Sequence, residues 1–239
     1  MTTPSNPASI GETMGVRFSE PTRGPCLNCG AETEQFAGKS YCDPCVAERE
    51  EAQRAYAAET RLLDLVSAGY LRCSTGQVRF SRARPAGPNA EAWRRARQTT
   101  DNLWLWGPPG VGKSYLCQCI LTDYVLRGGV CAAETSVRSV VNIAPWATQD
   151  LQRWMLPGLL LLDDVDKVAW TEATLAMFWE LLDNRCAARR RTLVTANMKP
   201  SDFAQTLKER IPQNRSLADS TLDRLKPVQS LEFTGRSMR

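Results

Sequence analysis

The chain has 239 residues, 43% of them apolar and 23% charged, with a formal net charge of +4, the balance of an ordinary globular protein. No run approaches the roughly 18 apolar residues of a membrane span, and the polar opening MTTPSNPASIGETMG lacks the apolar core of a secretory signal, so a cytoplasmic location without membrane contact is expected. Histidine is absent, which excludes Ser-His and Cys-His catalytic pairs and requires any zinc site to be built without imidazole.

Residues 1–25 are rich in Pro, Ser, Thr and Gly and are expected to be flexible. Cys26-x-x-Cys29 and Cys42-x-x-Cys45 follow, twelve residues apart. Each pair makes a tight knuckle, and two knuckles supply four thiolates for tetrahedral Zn²⁺. Gly30 and Gly38 allow the turns. A redox pair is the competing reading, but two CxxC motifs at ribbon spacing favour zinc. Such a site is closed, hence structural, and the region should unfold when the metal is removed. Nine cysteines in a chain without a secretion signal speak against a disulfide scaffold. Cys73, Cys117, Cys119, Cys131 and Cys186 are assigned no chemistry, Cys117 and Cys119 reading as small hydrophobes on a helix.

The stretch from Val46 to Ala68 consists of good helix formers without Pro or Gly. Glu50 and Arg54 are four apart in the favourable order, Ala55, Leu62, Leu63 and Val66 suggest a partly apolar face, and Gly69 suits a helix stop. Residues 26–70 are thus expected to form a zinc module plus helix, and 71–88 a linker with one short strand at Val78–Phe80. A short helix, Ala90–Gln98, leads into the larger domain over 89–239.

From Asn102 onward, strand-length apolar runs alternate with helical patterns, the signature of a parallel α/β sheet. The expected strands are Leu103–Trp106, Val130–Glu134, Leu159–Asp163, Thr192–Ala196 and Val228–Phe233. A helix from Glu172 to about Ala188 presents Leu175, Phe178, Trp179, Leu182 and Cys186 on one face, with Thr171 as N-cap. Of the 30 basic residues 24 are arginine, clustered at Arg82/Arg84, Arg94/Arg95/Arg97 and Arg189/Arg190/Arg191. Each cluster fits a solvated face as well as a phosphate track.

Gly107, Pro108, Pro109, Gly110, Val111, Gly112, Lys113 and Ser114 fit G-x-x-x-x-G-K-[ST] at every fixed position, between an apolar strand and a helical run opened by Tyr115. In this motif backbone N–H groups cradle phosphates, Lys113 reaches the β- and γ-phosphates, and Ser114 offers its hydroxyl to Mg²⁺. The strand LLLL ends in Asp163 and Asp164. Asp163 is the expected Mg²⁺ partner, and Asp164 is placed to polarise the attacking water. A third strand, TLVTA, ends in Asn197, which could hold that water or the γ-phosphate.

The order GPPGVGKS, LLLLDDVD, LLDNR, TLVTANM, TLDRL and the final GRSMR resembles the DnaC/IstB branch of AAA+ ATPases, over roughly residues 89–239. That branch holds bacterial and phage replicative-helicase loaders and IstB-type transposition helpers. The resemblance implies a five-stranded sheet ordered 5-1-4-3-2 without a full helical lid, ATP/ADP and Mg²⁺ between neighbouring subunits of a ring or spiral, a trans arginine finger and bound single-stranded DNA. On matching positions Asn197 takes the sensor-1 role, Arg239 the sensor-2 role, and Arg224 that of the finger. Some loaders carry a further arginine four residues earlier, where this chain has Ser220, so Arg210 and Arg215 stand as alternatives. The implied function is loading a hexameric replicative helicase onto single-stranded DNA, with an IstB-like helper as the alternative. The zinc module fits a protein or a DNA partner equally.

Overall fold

The computed structural model describes residues 22–35, 40–83, 87–143, 148–225, 228–235 and 237. The expectations for the N-terminal 21 residues, Gly38, Arg84 and Arg239 lie outside them. The chain divides into two units, 1–56 and 57–239.

In the first unit, β1 (Thr22–Pro25) pairs antiparallel with β2 (Glu32–Gln35). The two strands flank the first CxxC. Gly30, in the left-handed region at φ 76°, makes the turn. The second CxxC runs into α1 (Asp43–Ser67), which starts three residues before the expected Val46 because Pro44 is tolerated in a first turn. Among the described residues of this unit, Cys26 and Cys45 are the buried ones.

In the second unit, the end of α1 buries Ala58, Leu62 and Leu65, spaced for one helical face. Leu63 of the expected face is exposed instead, one residue off the buried stripe, and Ala55, in line with that stripe, is exposed too. Gly69, at φ 69°, ends the helix, and Arg153 donates to the freed Ala68 carbonyl at 2.6 Å. The expected strand Val78–Phe80 is not one. Its sequence does follow a short helix, α2 (Cys73–Gln77), but the Val78 N–H turns back to the Thr75 carbonyl, and the Phe80 carbonyl accepts from Ala83. These local bonds consume the groups a ladder would need.

α3 (Ala90–Gln98) enters a five-stranded parallel sheet. Its strands are β3 (Asn102–Trp106), β4 (Ala132–Ser136), β5 (Leu159–Asp163), β6 (Arg191–Ala196) and β7 (Val228–Glu232). Their spatial order β4-β5-β6-β3-β7 is the expected 5-1-4-3-2 read from the other edge. β4 begins two residues later than expected, because Val130 is 76% exposed on the turn after Gly128 and Gly129.

Period-two alternation sends neighbouring residues to opposite cores. Leu103, Leu105, Leu159, Leu161 and Leu193 join α4 (Lys113–Leu126), α3 and the end of α1. Trp104, Leu160, Leu162 and Val194 face the other helices. These are α5 (Val137–Val141), α6 (Thr148–Met155), α7 (Glu172–Ala187), α8 (Pro200–Arg210) and α9 (Arg215–Arg224). Two covered faces explain why β5 is apolar from Leu159 to Leu162. The Thr171 hydroxyl caps α7 by accepting from the Thr174 N–H. On that helix Leu175, Phe178 and Leu182 are buried, but Cys186 is exposed and Arg185 takes the buried position. None of the described helices is long and apolar enough to cross a membrane.

Candidate functional site

Parallel register puts the carboxyl ends of the strands on one edge, where open α/β sheets bind ligands. β3 runs into the Gly107–Ser114 loop, β5 ends at Asp163 and β6 delivers Asn197. There they line a cleft of ≈ 490 Å³ with Pro109, Gly110, Gly112, Tyr115, Asp164, Lys167, Gln118 and Arg72.

The loop has little room for side chains. A Cβ on Gly107 would strike the Phe233 carbonyl, and one on Gly110 the Ser237 hydroxyl, with both residues at positive φ. Phe233 and Ser237 therefore lie against the Gly107–Ser114 loop, although Arg239 itself is outside the described residues. Lys113, 7% exposed, donates to the Gly107 and Pro108 carbonyls at 2.7 and 2.8 Å and approaches Asn197 Oδ1 at 3.4 Å. Burial lowers its pKa, opposed by Asp166 and Asp164.

Ser114 Oγ donates to Asp163 Oδ1 at 2.8 Å. These two hard oxygen donors suit Mg²⁺. Thr195, which sequence reasoning passed over, also donates to Asp163 Oδ1 and accepts from the Asp164 N–H at 3.0 Å. Its alternate position on β6 was the available signal. Asp164 adopts the left-handed region, φ 59°, which Asp tolerates better than most residues. This turns its carboxylate into the cleft mouth, where Lys167 pairs with it at 2.8 Å. Asn197 Nδ2 donates to Asp166 Oδ2 at 2.8 Å, which fixes its amide.

Arg224 sits in the last turn of α9 and pairs with Asp183 of the same chain; it does not line the cleft. Arg210 donates to the Val168 carbonyl at 3.3 Å. Within the Arg189–Arg191 run, Arg190 and Arg191 donate to the Met155 and Asp101 carbonyls. Arg94 pairs with Glu91, and Arg97 lies over the Phe80 ring.

The Sγ atoms of Cys26, Cys29, Cys42 and Cys45 all lie within 4.8 Å of one another, a spread that suits four thiolates about 2.3 Å from one ion. The Cys42 and Asn28 N–H groups donate to Cys26 Sγ at 3.3 and 3.4 Å. Backbone hydrogen bonds from Cys29, Cys42 and Asn28 hold the Cys26 thiol down at about 6, the thiolate character a zinc ligand needs; the Asn28 amide also lowers Cys45, but the neighbouring thiols outweigh it and push Cys45 up. The remaining cysteines show no such grouping among the described residues. Cys117 and Cys119 are fully buried, and burial raises both pKa values.

Comparison with known proteins places these features. The family model described as IstB-like ATP binding protein matches residues 92–239. Among solved structures, DnaI is 18% identical with a TM-score of 0.59, over 69% of this chain and 95% of that one. The DnaC helicase loader is 14% identical at a TM-score of 0.54, over 68% of this chain and 99% of that one. The replication initiator DnaA bound to AMPPCP and single-stranded DNA is 17% identical at 0.51, over 67% of this chain and half of that one. At these identities the likeness is one of fold. The comparison with curated proteins gave no match.

Proposed function

We propose a function from one premise, that the chain belongs to the family of IstB-like ATP-binding proteins: it is an ATP-dependent helicase loader that delivers a hexameric replicative helicase onto single-stranded DNA. The observation that carries the ATP reading is the meeting of Lys113, Ser114, Asp163, Asp164 and Asn197 around one cleft. The fold shared with DnaI and the DnaC helicase loader along nearly their whole lengths supports the loader reading.

In this reading the Gly107–Ser114 backbone and Lys113 hold the phosphates. Ser114 and Asp163 would hold Mg²⁺, which would supply charge neutralisation at the phosphates. Asp164 and Asn197 orient the attacking water, and Arg224 of a neighbouring copy completes the site in trans. Hydrolysis is slow and stimulated by DNA or partner, as suits a site whose finger comes from elsewhere. The Cys26/Cys29/Cys42/Cys45 module, occupied by zinc, and α1 grip the helicase, and the ATPase domain, assembled as a ring or spiral, holds the DNA strand.

The family's description favours a second reading, an IstB-like helper that assembles on DNA and activates a transposase. Light scattering after size exclusion, with the host's replicative helicase and with or without Mg–ATP, separates the two. A defined complex that is lost when residues 1–70 are deleted supports the loader. No helicase complex, with ATP-dependent assembly on duplex DNA, supports the helper.

A further inference from the structure

The cleft holds three cations, and each rests on protein oxygens. Lys113 lies on two loop carbonyls and Lys167 on Asp164. The third, Arg72, comes from outside the region that matches the family model, 92–239. Its Nη2 lies 3.7 Å from Asp163 Oδ2 and its Nε 3.6 Å from Glu134 Oε2. Both separations exceed the roughly 2.7–2.9 Å of a charge-assisted hydrogen bond, and the side chain is 49% exposed. The guanidinium is loosely held.

Its main chain is not. The Arg72 N–H donates to Glu134 Oε1 at 2.6 Å, the same oxygen accepts from the Thr75 hydroxyl, and Gln118 donates to Oε2 at 3.2 Å. The Glu134 N–H returns to the Tyr70 carbonyl, and the Thr122 hydroxyl bonds the Thr75 carbonyl at 2.9 Å. Glu134 is thus a buried anchor for residues 70–75, and it keeps partners when the guanidinium leaves.

Asp163 divides its two oxygens. Oδ1 accepts from both Ser114 and Thr195, while Oδ2 faces Arg72. Arg72, which faces Oδ2 alone, would lose most of its attraction to this carboxylate once a divalent cation held by Ser114 and Asp163 neutralised it. Arg72 lines the same cleft as Gly112, Lys113 and Ser114, and its planar fork would suit phosphate oxygens there better than a lone carboxylate oxygen. We propose that Arg72, loosely paired with Asp163, is a phosphate-binding residue of this site that turns to the phosphates where Mg²⁺ would occupy Asp163. This deepens the ATP reading above and rests on it.

Equilibrium binding of a fluorescent ATP analogue tests it, with excess Mg²⁺ and with EDTA, for wild type, Arg72→Ala, Arg72→Lys and Lys113→Ala. Arg72→Ala should weaken binding at least tenfold in Mg²⁺, Arg72→Lys should recover part of that, and the loss should shrink in EDTA, where Asp163 still holds the guanidinium. Unliganded melting should be unchanged. Should Arg72→Ala not fold, Arg72→Gln carries the same comparison. Wild-type affinity in the charge-free variant, or an equal loss with and without Mg²⁺, would overturn the inference while Lys113→Ala still lost binding. Failure of wild type to bind the analogue would instead remove the ATP reading, and this inference with it.

Discussion

The guanidinium of Arg185, 1% exposed, has no carboxylate among its partners. It donates to the carbonyls of Trp154, Met155 and Pro157 through Nη1, to that of Arg191 through Nη2, and to the Thr192 hydroxyl through Nε. It thereby collects the negative end of the α6 dipole and ties it to the start of β6. Burial lowers its pKa to about 9, which leaves it a cation at neutral pH. A methionine here would fill the volume but leave buried acceptors unpaired. Arg185→Met should therefore lower stability by about 3–5 kcal/mol, read as a lower urea midpoint. Arg185→Lys should recover little, because a point charge cannot serve carbonyls on two elements at once. A loss below about 1 kcal/mol would show that water satisfies the carbonyls. Hydrophobic periodicity selected Cys186 for this face because the atoms that make Arg185 welcome lie on a distant segment.

At the scale of elements, the two units are held by different means. Strands β3 and β5, helix α4 and the phosphate loop were legible because each advertises itself locally: an apolar run, a glycine pattern, a helical period. Cys26, Cys29, Cys42 and Cys45 were legible for the same reason, by spacing alone. Val78–Phe80 misled, since a short β-prone run carries no information about whether a sheet edge awaits it, and here the N–H and carbonyl groups close turns. In the N-terminal unit the described strands are largely exposed and, among the described residues, Cys26 and Cys45 are the buried ones, so apolar burial among these residues does not order them. Zinc held by the four thiolates, as proposed, would supply that free energy, about 10–16 kcal/mol in comparable zinc peptides. The purified protein should carry one zinc per chain by native mass spectrometry, and chelation should erase protection from amide exchange across 22–35 while the β3–β7 sheet keeps its protection. Unchanged exchange in 22–35 after complete metal removal would show another source of order. Acidification should act like chelation, because protons compete with the metal for thiolates.

The whole molecule brings together what its sequence keeps far apart. Asn89 exchanges two hydrogen bonds with Thr234, both 2.9 Å, which closes the end of the chain over the phosphate loop, and Arg72 meets Asp163. No local pattern announces either contact, and the sheet order itself came from the resemblance rather than from periodicity. What one copy does not bring to its cleft is Arg224, which stays on Asp183. If Arg224 acts in trans, the catalytic unit is a pair of copies, and two defects can complement. Asp164→Asn keeps the finger but spoils its own water-polarising carboxylate; Arg224→Ala keeps an intact cleft but offers no finger. Each variant alone should bind the ATP analogue with wild-type affinity and hydrolyse at least tenfold more slowly. Mixed in equal amounts with single-stranded DNA, they should regain activity well above the sum of the two, because half of the mixed interfaces join an intact cleft to an intact finger. A mixture no more active than its components, beside an active wild type, would pass the role to Arg210 or Arg215 and leave Arg224 a structural partner of Asp183.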